Sequence, residues 1–168
     1  MAVAFTFPGQ GSQAVGMGKA FADQFAASRA VFEEVDEALS QKLSALMFEG
    51  PEDQLTLTAN AQPALMAVSL AILRVLEAEA GITPAKNARF VAGHSLGEYS
   101  ALAAAGSLSL ADTARLLRIR GNAMQAAVAP GVGAMAALLG LDFEAAAAVA
   151  HEAAQGEICQ AEIGRAHV

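Results

Sequence analysis

The residues Gly93-His94-Ser95-Leu96-Gly97 have the spacing of a nucleophile elbow, in which a serine stands at a sharp turn between a strand and a helix. The apolar run 89–92 precedes them and the alanine-rich segment 96–105 follows, so the pattern predicts a strand, a turn and a helix. In that setting the Ser95 hydroxyl is exposed, and the first amide groups of the helix point at the carbonyl that it attacks. Ser95 is therefore a candidate nucleophile. A structural turn before a helix is the alternative.

A serine hydroxyl needs a base that accepts its proton, and the three histidines of this chain are poorly positioned for that role. His94 is the neighbour of Ser95, so its side chain is expected to point away from the hydroxyl across the turn. His151 lies among alanines and glutamates on a predicted surface helix, and His167 lies in a segment that fits no pattern. The sequence therefore predicts a candidate nucleophile without its general base.

Length, composition and net charge limit the classes of protein to which this chain can belong. The 168 residues suffice for one domain with a sizeable core, and the net charge of −7 argues against nucleic acid as a partner. The longest apolar stretch, 61–76, is interrupted by polar residues, which favours a buried helix over a membrane span. The first residues lack a secretory signal, so we expect a cytoplasmic protein. Cys159 is the single cysteine, and we expect it to be a buried thiol.

Strand and helix patterns alternate along the chain, which predicts an α/β fold with a parallel sheet. Residues 2–7 read as a strand and residues 8–13 as a glycine-rich loop. Asn60 is predicted to cap a long helix that ends near Gly81, and Ser109 is predicted to cap a helix that runs to about residue 127.

The composition changes after residue 130. Residues 134–139 read as a strand, 142–155 as an alanine-rich helix and 157–161 as a second strand, which predicts the first β-α-β unit of a smaller subdomain. Residues 163–168 continue no pattern, and their back-translation matches one reading frame of a sequencing adapter. We therefore expect residues 162–168 to be a non-native tail, with ordinary C-terminal residues as the alternative.

Several motifs together resemble the malonyl-CoA:acyl carrier protein transacylases, the acyltransferases that supply malonyl units to fatty acid synthesis. The resemblance runs from about Val3 to Ala161 and covers the N-terminal half of such an enzyme. The matching pieces are Phe-Pro-Gly-Gln-Gly-Ser-Gln at 7–13, Gln-Pro-Ala-Leu at 62–65, Gly-His-Ser-Leu-Gly-Glu-Tyr-Ser-Ala at 93–101, Arg-Gly-Asn-Ala-Met-Gln at 120–125 and Gly-Val-Gly-Ala-Met-Ala-Ala at 131–137.

For the fold, this resemblance implies an incomplete, α/β-hydrolase-like large subdomain with a parallel sheet over residues 1–130. The start of a small ferredoxin-like subdomain would follow over residues 131–161. The general base of the family is a histidine in the second half of the large subdomain, and this chain stops before it. Without the remaining strands and helices, we expect exposed apolar helix faces and poor solubility.

For the function, the resemblance implies that Ser95 takes malonyl from coenzyme A and passes it to the phosphopantetheine thiol of acyl carrier protein. No metal or bound cofactor is needed, and the protein is expected to be a monomer. The backbone N–H groups of Gln10 and Leu96 would form the oxyanion hole, and Arg120 would pair with the malonyl carboxylate. The other residues implied in the substrate pocket are Gln62, His94 and Met124.

Other interpretations remain open from the residues alone. Arg120 can be a solvated charge at a helix end, and Gln62 can serve as a cap or a solvated helix start. A serine esterase shares the elbow motif but explains neither the Gln10 loop nor Arg120. The acyltransferase domain of a polyketide synthase and an inactive fragment that binds carrier protein are the remaining alternatives.

Overall fold

The computed structural model describes residues 2–128, 132–134, 136 and 138–162, which form an α/β fold rich in helices. The predicted tail lies outside the described residues from residue 163 onward. The elements in chain order are β1 (Ala4–Phe7), α1 (Lys19–Gln24), α2 (Ala26–Leu39), α3 (Leu43–Glu49), α4 (Glu52–Thr56), α5 (Thr58–Ala80), α6 (Pro84–Asn87), β2 (Phe90–Gly93), α7 (Leu96–Ala104), α8 (Leu110–Ala127) and α9 (Phe143–Ala154).

Strands β1 and β2 are parallel neighbours, with Ala4 opposite Phe90 and Phe7 opposite Gly93. Parallel neighbours cannot be joined by a tight turn, so residues 8–89, which include α1 to α6, form the crossover. The predicted parallel sheet is therefore confirmed. Because both strands end at the same edge of the sheet, the loop after β1 and the turn after β2 lie side by side.

Helix α5 forms the centre of the core. It is long and apolar enough to cross a bilayer by length and composition, yet most of it is buried against α2, α7 and α8. This confirms the buried helix predicted for residues 61–76. The helix ends as predicted at Gly81, whose φ of 66° is a left-handed conformation that glycine adopts without strain.

The start of α5 differs from the prediction. The helix begins at Thr58, and Asn60 is not its cap. The Asn60 side chain instead donates to the Gln54 carbonyl at 2.9 Å and accepts from Arg118 Nη1 at 2.7 Å. Pro63 consequently lies inside the helix, where it has no N–H to donate to the carbonyl of the preceding turn.

The helix cap predicted at Ser109 is confirmed. Its hydroxyl accepts from the Asp112 N–H at 3.0 Å and donates to the Asp112 carboxylate at 2.7 Å.

Helix α3 has a cap of another kind, supplied from α2. The buried Asp36 carboxylate accepts from the Ser44 N–H at 2.8 Å and from the Ser44 hydroxyl at 2.7 Å. Asp36 therefore anchors the start of α3 to the core.

The region after residue 131 agrees with the prediction only in part. Helix α9 forms as predicted, and none of its residues is buried. Among the described residues of 134–139 and 157–161, none has strand structure, so the two predicted strands are not found there. A strand needs a neighbour to accept and donate its backbone hydrogen bonds, and the described residues supply none here. Cys159, predicted to be buried, is exposed for the same reason.

Candidate active site

Ser95 stands at the turn between β2 and α7, exposed to solvent and with an unusual backbone conformation. Its φ of 55° and ψ of −114° lie outside the regions that residues with a Cβ ordinarily occupy. Such a conformation persists only where the surrounding structure enforces it, and it occurs preferentially at functional sites. The nucleophile elbow predicted from the motif therefore has the backbone geometry expected of one.

Close backbone packing enforces the turn. A Cβ on Gly93 would collide with the Gly97 carbonyl group, and a Cβ on Gly97 would collide with the Phe7 carbonyl oxygen. The two glycines thus let the first turn of α7 sit directly on the ends of β1 and β2. A backbone hydrogen bond from His94 N–H to the Phe7 carbonyl at 3.2 Å ties the elbow to β1 as well.

Arg120, on α8, contacts the candidate nucleophile directly. Its Nη2 donates to Ser95 Oγ at 2.9 Å, and its Nη1 donates to Gln62 Oε1 at 2.7 Å. The guanidinium carbon also lies 6.0 Å from the centre of the Tyr99 ring, within the range of a cation–π contact. The arginine is therefore held at the elbow rather than solvated at a helix end.

Gln62 is fully buried and hydrogen-bonded at both ends of its amide. Besides accepting from Arg120, it donates from Nε2 to Met124 Sδ at 3.2 Å. Met124 lies one turn after Arg120 on α8, so α8 supplies both partners of this amide. The interpretation of Gln62 as a cap or a solvated helix start is wrong, because the side chain has no exposed surface.

A glycine allows the two helices that carry these residues to approach closely. A Cβ on Gly121 would lie 2.7 Å from Ala59 Cα and 2.8 Å from the Thr58 carbonyl oxygen. The Ala59 N–H also donates to Gln125 Oε1 of α8 at 3.3 Å. This close crossing of α5 and α8 brings Arg120 within reach of Gln62.

The loop after β1 lies at the same end of the molecule. Gln10 Nε2 donates to Thr58 Oγ1 at 3.3 Å, which connects this loop to the start of α5. Leu96, the first residue of α7, has a buried side chain. Among the described residues, neither Leu96 nor Gln10 donates its backbone N–H to a recorded acceptor. Within the described part of the chain, both N–H groups therefore lack a protein acceptor.

No histidine in the described part of the chain is bonded to the serine hydroxyl. The His94 ring packs against Gly9, where an added Cβ would collide with His94 Nδ1. His151 is exposed on α9. His167 lies outside the described residues. The prediction that His94 turns away from Ser95 agrees with this packing.

The other arginines of α8 are not part of the site. Arg115 pairs with Asp112 at 3.1 Å on the exposed side of the helix. Arg118 donates to Asn60 and to Gln41 Oε1 at 2.6 Å, and partial burial lowers its pKa from the ordinary value because the guanidinium loses solvent. The three arginines of α8 therefore have separate partners and do not form one positive site.

Motif spacing missed two neighbours of the site, Thr58 and Tyr99. Thr58 carries no signal in the sequence, because its contact with Gln10 depends on how β1 meets α5. Tyr99 follows Ser95 by four residues, so helical periodicity could have placed it on the same face of α7. A surface groove of about 440 Å³ lies away from this site, between α5, α6 and the end of α7.

The acyl transferase domain family matches residues 4–158 of this chain. A malonyl CoA-acyl carrier protein transacylase of Bacillus subtilis is 56% identical over 143 residues, covering 85% of this chain and 44% of the relative. The chain spans about half the length of the curated relatives it matches.

Solved structures of similar proteins agree with that family. An acyl-carrier-protein-S-malonyltransferase from Bartonella henselae has a TM-score of 0.87 and 66% identity, covering 95% of this chain and 51% of that protein. A malonyl-transacylase solved in complex with a type II polyketide synthase acyl-carrier protein has a TM-score of 0.83 and 43% identity, covering 94% and 50%. These matches confirm the predicted family resemblance and the α/β fold.

Proposed function

We propose that this chain, which belongs to the acyl transferase domain family, carries the nucleophile and the carboxylate-binding arginine of a malonyl-CoA:acyl carrier protein transacylase. The observation that supports this most directly is the hydrogen bond from Arg120 to Ser95 Oγ. A hydrolase of simple esters has no need of a guanidinium at its nucleophile. An enzyme whose acyl group ends in a carboxylate does.

The proposed first step is attack of Ser95 Oγ on the thioester carbonyl of malonyl-CoA. A bond forms between Oγ and the carbonyl carbon, and the serine proton passes to a base that the described residues do not supply. The tetrahedral intermediate then expels the coenzyme A thiolate, which takes up a proton. The result is a malonyl ester on Ser95.

The backbone N–H groups of Leu96 and Gln10 are the proposed oxyanion hole. Charge develops on the carbonyl oxygen only as the tetrahedral intermediate forms, so donors fixed at that position stabilise the transition state more than the substrate. Support comes from the position of Leu96 at the start of α7, where the helix dipole adds positive potential. The bond between Gln10 and Thr58 supports the loop that carries the second donor.

Arg120 is the proposed partner of the malonyl carboxylate. In a malonyl ester the carboxylate is separated from the ester carbonyl by a single methylene group, so a guanidinium at hydrogen-bond distance from Oγ is within its reach. The planar fork of arginine binds a carboxylate with two parallel hydrogen bonds. Gln62, held in the core, keeps Nη1 of that fork in place.

In the proposed second step, the sulfur of the phosphopantetheine thiol of acyl carrier protein bonds to the ester carbonyl carbon, the bond from that carbon to Ser95 Oγ breaks, and Oγ takes up the proton that the thiol loses. The relative solved with an acyl-carrier protein supports a carrier protein as the partner, and because that carrier belongs to a type II polyketide synthase, polyketide synthesis stays open as the pathway. We also propose that the chain divides near residue 130, as the sequence predicts, into part of a large subdomain and the start of a small one.

The experiment uses two forms of the protein. The 168-residue chain is incubated with radiolabelled malonyl-CoA, and the label on Ser95 is measured, with Ser95→Ala as the blank. For turnover, the chain is joined to the part of the Bartonella henselae relative that lies outside their match, which we call the completed chain. Transfer of malonyl to acyl carrier protein is compared with hydrolysis of p-nitrophenyl acetate, in the parent and in Arg120→Ala.

The proposed function predicts that Arg120→Ala abolishes most malonyl transfer and leaves ester hydrolysis largely intact. Arg115→Ala is the matched control, because it removes an exposed arginine from the same helix. Equal loss of both activities in Arg120→Ala, or ester hydrolysis without malonyl transfer in the parent, contradicts the proposal and favours the esterase alternative. Absence of label on Ser95 together with absence of turnover in the completed chain favours an inactive carrier-binding protein, whereas label on Ser95 shows that the first half-reaction takes place.

A further inference from the structure

The amide of Gln62 is held in one orientation by two side chains of α8. Its Oε1 accepts from Arg120 Nη1 at 2.7 Å, and its Nε2 donates to Met124 Sδ at 3.2 Å. The side chain is fully buried, so solvent cannot replace either partner. The orientation of this amide therefore depends on Arg120 and Met124 of α8.

The orientation matters because the two ends of an amide have similar shape and opposite hydrogen-bonding character. Arginine has donors only, so it can bond to Oε1 and not to Nε2. A rotation of the amide by half a turn would face Nε2 toward the guanidinium, donor against donor. The thioether of methionine has the reverse character, since its sulfur accepts a hydrogen bond and has no hydrogen to donate.

We propose that Met124 is a positioning residue, whose sulfur selects the amide orientation of Gln62 that keeps Arg120 aligned with Ser95. The importance of that alignment for malonyl rests on the proposed function, whereas the amide orientation itself does not. Met124 was expected from the family resemblance to line the substrate pocket. Here it acts through Gln62, and Gln62 acts through Arg120.

The kinetic test uses Met124→Leu in the completed chain. Leucine is similar in volume and lacks the acceptor, so kcat/KM for malonyl-CoA is expected to fall about two- to ten-fold, the range for loss of one neutral hydrogen bond. Hydrolysis of p-nitrophenyl acetate, which needs no carboxylate partner, is expected to stay at the parent rate. Met17→Leu is the matched control, because Met17 is also half-buried. An equal fall in both activities contradicts the proposal, since general damage to the fold affects both.

A second pair of variants tests whether Met124 acts through Gln62. In Gln62→Glu, both side-chain oxygens are acceptors, so the group faces Arg120 correctly in either orientation. The loss caused by Met124→Leu is therefore expected to be absent in the Gln62→Glu background. A loss of the same size in both backgrounds overturns the proposal.

A spectroscopic measurement separates this inference from the proposed function. The side-chain NH₂ resonances of Gln62 are assigned in the 168-residue chain by NMR, with Gln62→Glu identifying the signal. Met124→Leu is expected to shift those resonances, and Met17→Leu is expected to leave them in place. Unchanged resonances in Met124→Leu overturn the positioning role. A shift in a protein whose completed form transfers no malonyl supports the positioning role and rejects the proposed function.

Discussion

Arg120 Nη2 lies 2.9 Å from Ser95 Oγ, although the two residues are separated by 25 positions, with Ser95 in the turn before α7 and Arg120 on α8. Ser95 is fixed by the turn after β2, and Arg120 is fixed by the crossing of α8 with α5. The contact therefore depends on two independent structures, a strained turn and a helix pair. The four predictions that follow each disturb one part of this arrangement or of the core that supports it.

Replacement of Arg120 by lysine is expected to reduce malonyl transfer even though the positive charge remains. Lysine cannot bond to Gln62 and a carboxylate with a planar fork, so kcat/KM for malonyl-CoA in the completed chain should fall about 10- to 100-fold. Ester hydrolysis is the reference activity, and Arg115→Lys is the control on the exposed side of α8. Full malonyl transfer by Arg120→Lys would show that charge alone suffices, and would remove the argument for bidentate pairing.

Gly97→Ala is expected to destabilise the protein and displace Ser95. The new Cβ collides with the Phe7 carbonyl, which is backbone and cannot move aside, so the free energy of unfolding should fall by about 1–3 kcal/mol. Gly81→Ala is the comparison: its Cβ meets nothing, and its left-handed φ alone costs about 1–2 kcal/mol. Urea denaturation measures both variants.

The two glycine variants are then compared for labelling of Ser95 by malonyl-CoA. We expect Gly97→Ala to lose the label and Gly81→Ala to retain it, because only Gly97 touches the elbow. Retention of the label in Gly97→Ala would mean that the close packing on β1 is not what holds Ser95.

Gly121→Ala is expected to push α8 away from α5. The added methyl group meets Ala59 Cα at 2.7 Å, so the helices must separate or tilt. Such overpacking costs about 1–3 kcal/mol of stability, and it also breaks the alignment of Arg120 with Gln62. Malonyl transfer in the completed chain should therefore fall more than ester hydrolysis. Asn122→Ala, at the exposed neighbouring position, is expected to change neither, and an equal effect of the two substitutions would argue against the close crossing.

Asp36→Ala is expected to lower the free energy of unfolding and to leave the candidate active site around Ser95 unchanged. It leaves the Ser44 N–H and hydroxyl without their acceptor, which should reduce the free energy of unfolding by about 1–3 kcal/mol. The exposed Glu37→Ala serves as control, with an expected change within about 0.5 kcal/mol. Thermal unfolding followed by circular dichroism measures both. Similar melting temperatures for the two variants would mean that α3 does not depend on its cap from α2.

Local patterns in the sequence were sufficient for the elements that form through neighbouring residues. The elbow motif carries its own strand, turn and helix, and Ser109 caps α8 through a residue three positions away. The predicted start of α5 at Asn60 is wrong, because the Asn60 side chain accepts a hydrogen bond from Arg118, which is 58 positions away. A cap predicted from the local sequence cannot anticipate a partner of that kind.

The candidate site could be named from motifs, yet its connections could not be derived from them. Gln62 and Met124 were grouped with the pocket, but the bond between them depends on the angle at which α5 and α8 cross. Among the residues that the structure describes, the prediction of strands after residue 131 is wrong because a distant partner is missing. Their local pattern is suitable, but within the described residues no neighbouring strand is available to pair with them.

The glycine at position 97 has a practical consequence for anyone who engineers this protein. Glycine inside a helix is the residue that stability design replaces first, and alanine there ordinarily adds about 0.5–1 kcal/mol. At this helix start, however, the space that a methyl group needs is taken by the backbone of β1. Thermostabilising libraries should therefore leave the elbow unchanged and seek their gains on solvent-facing positions of α2 and α9.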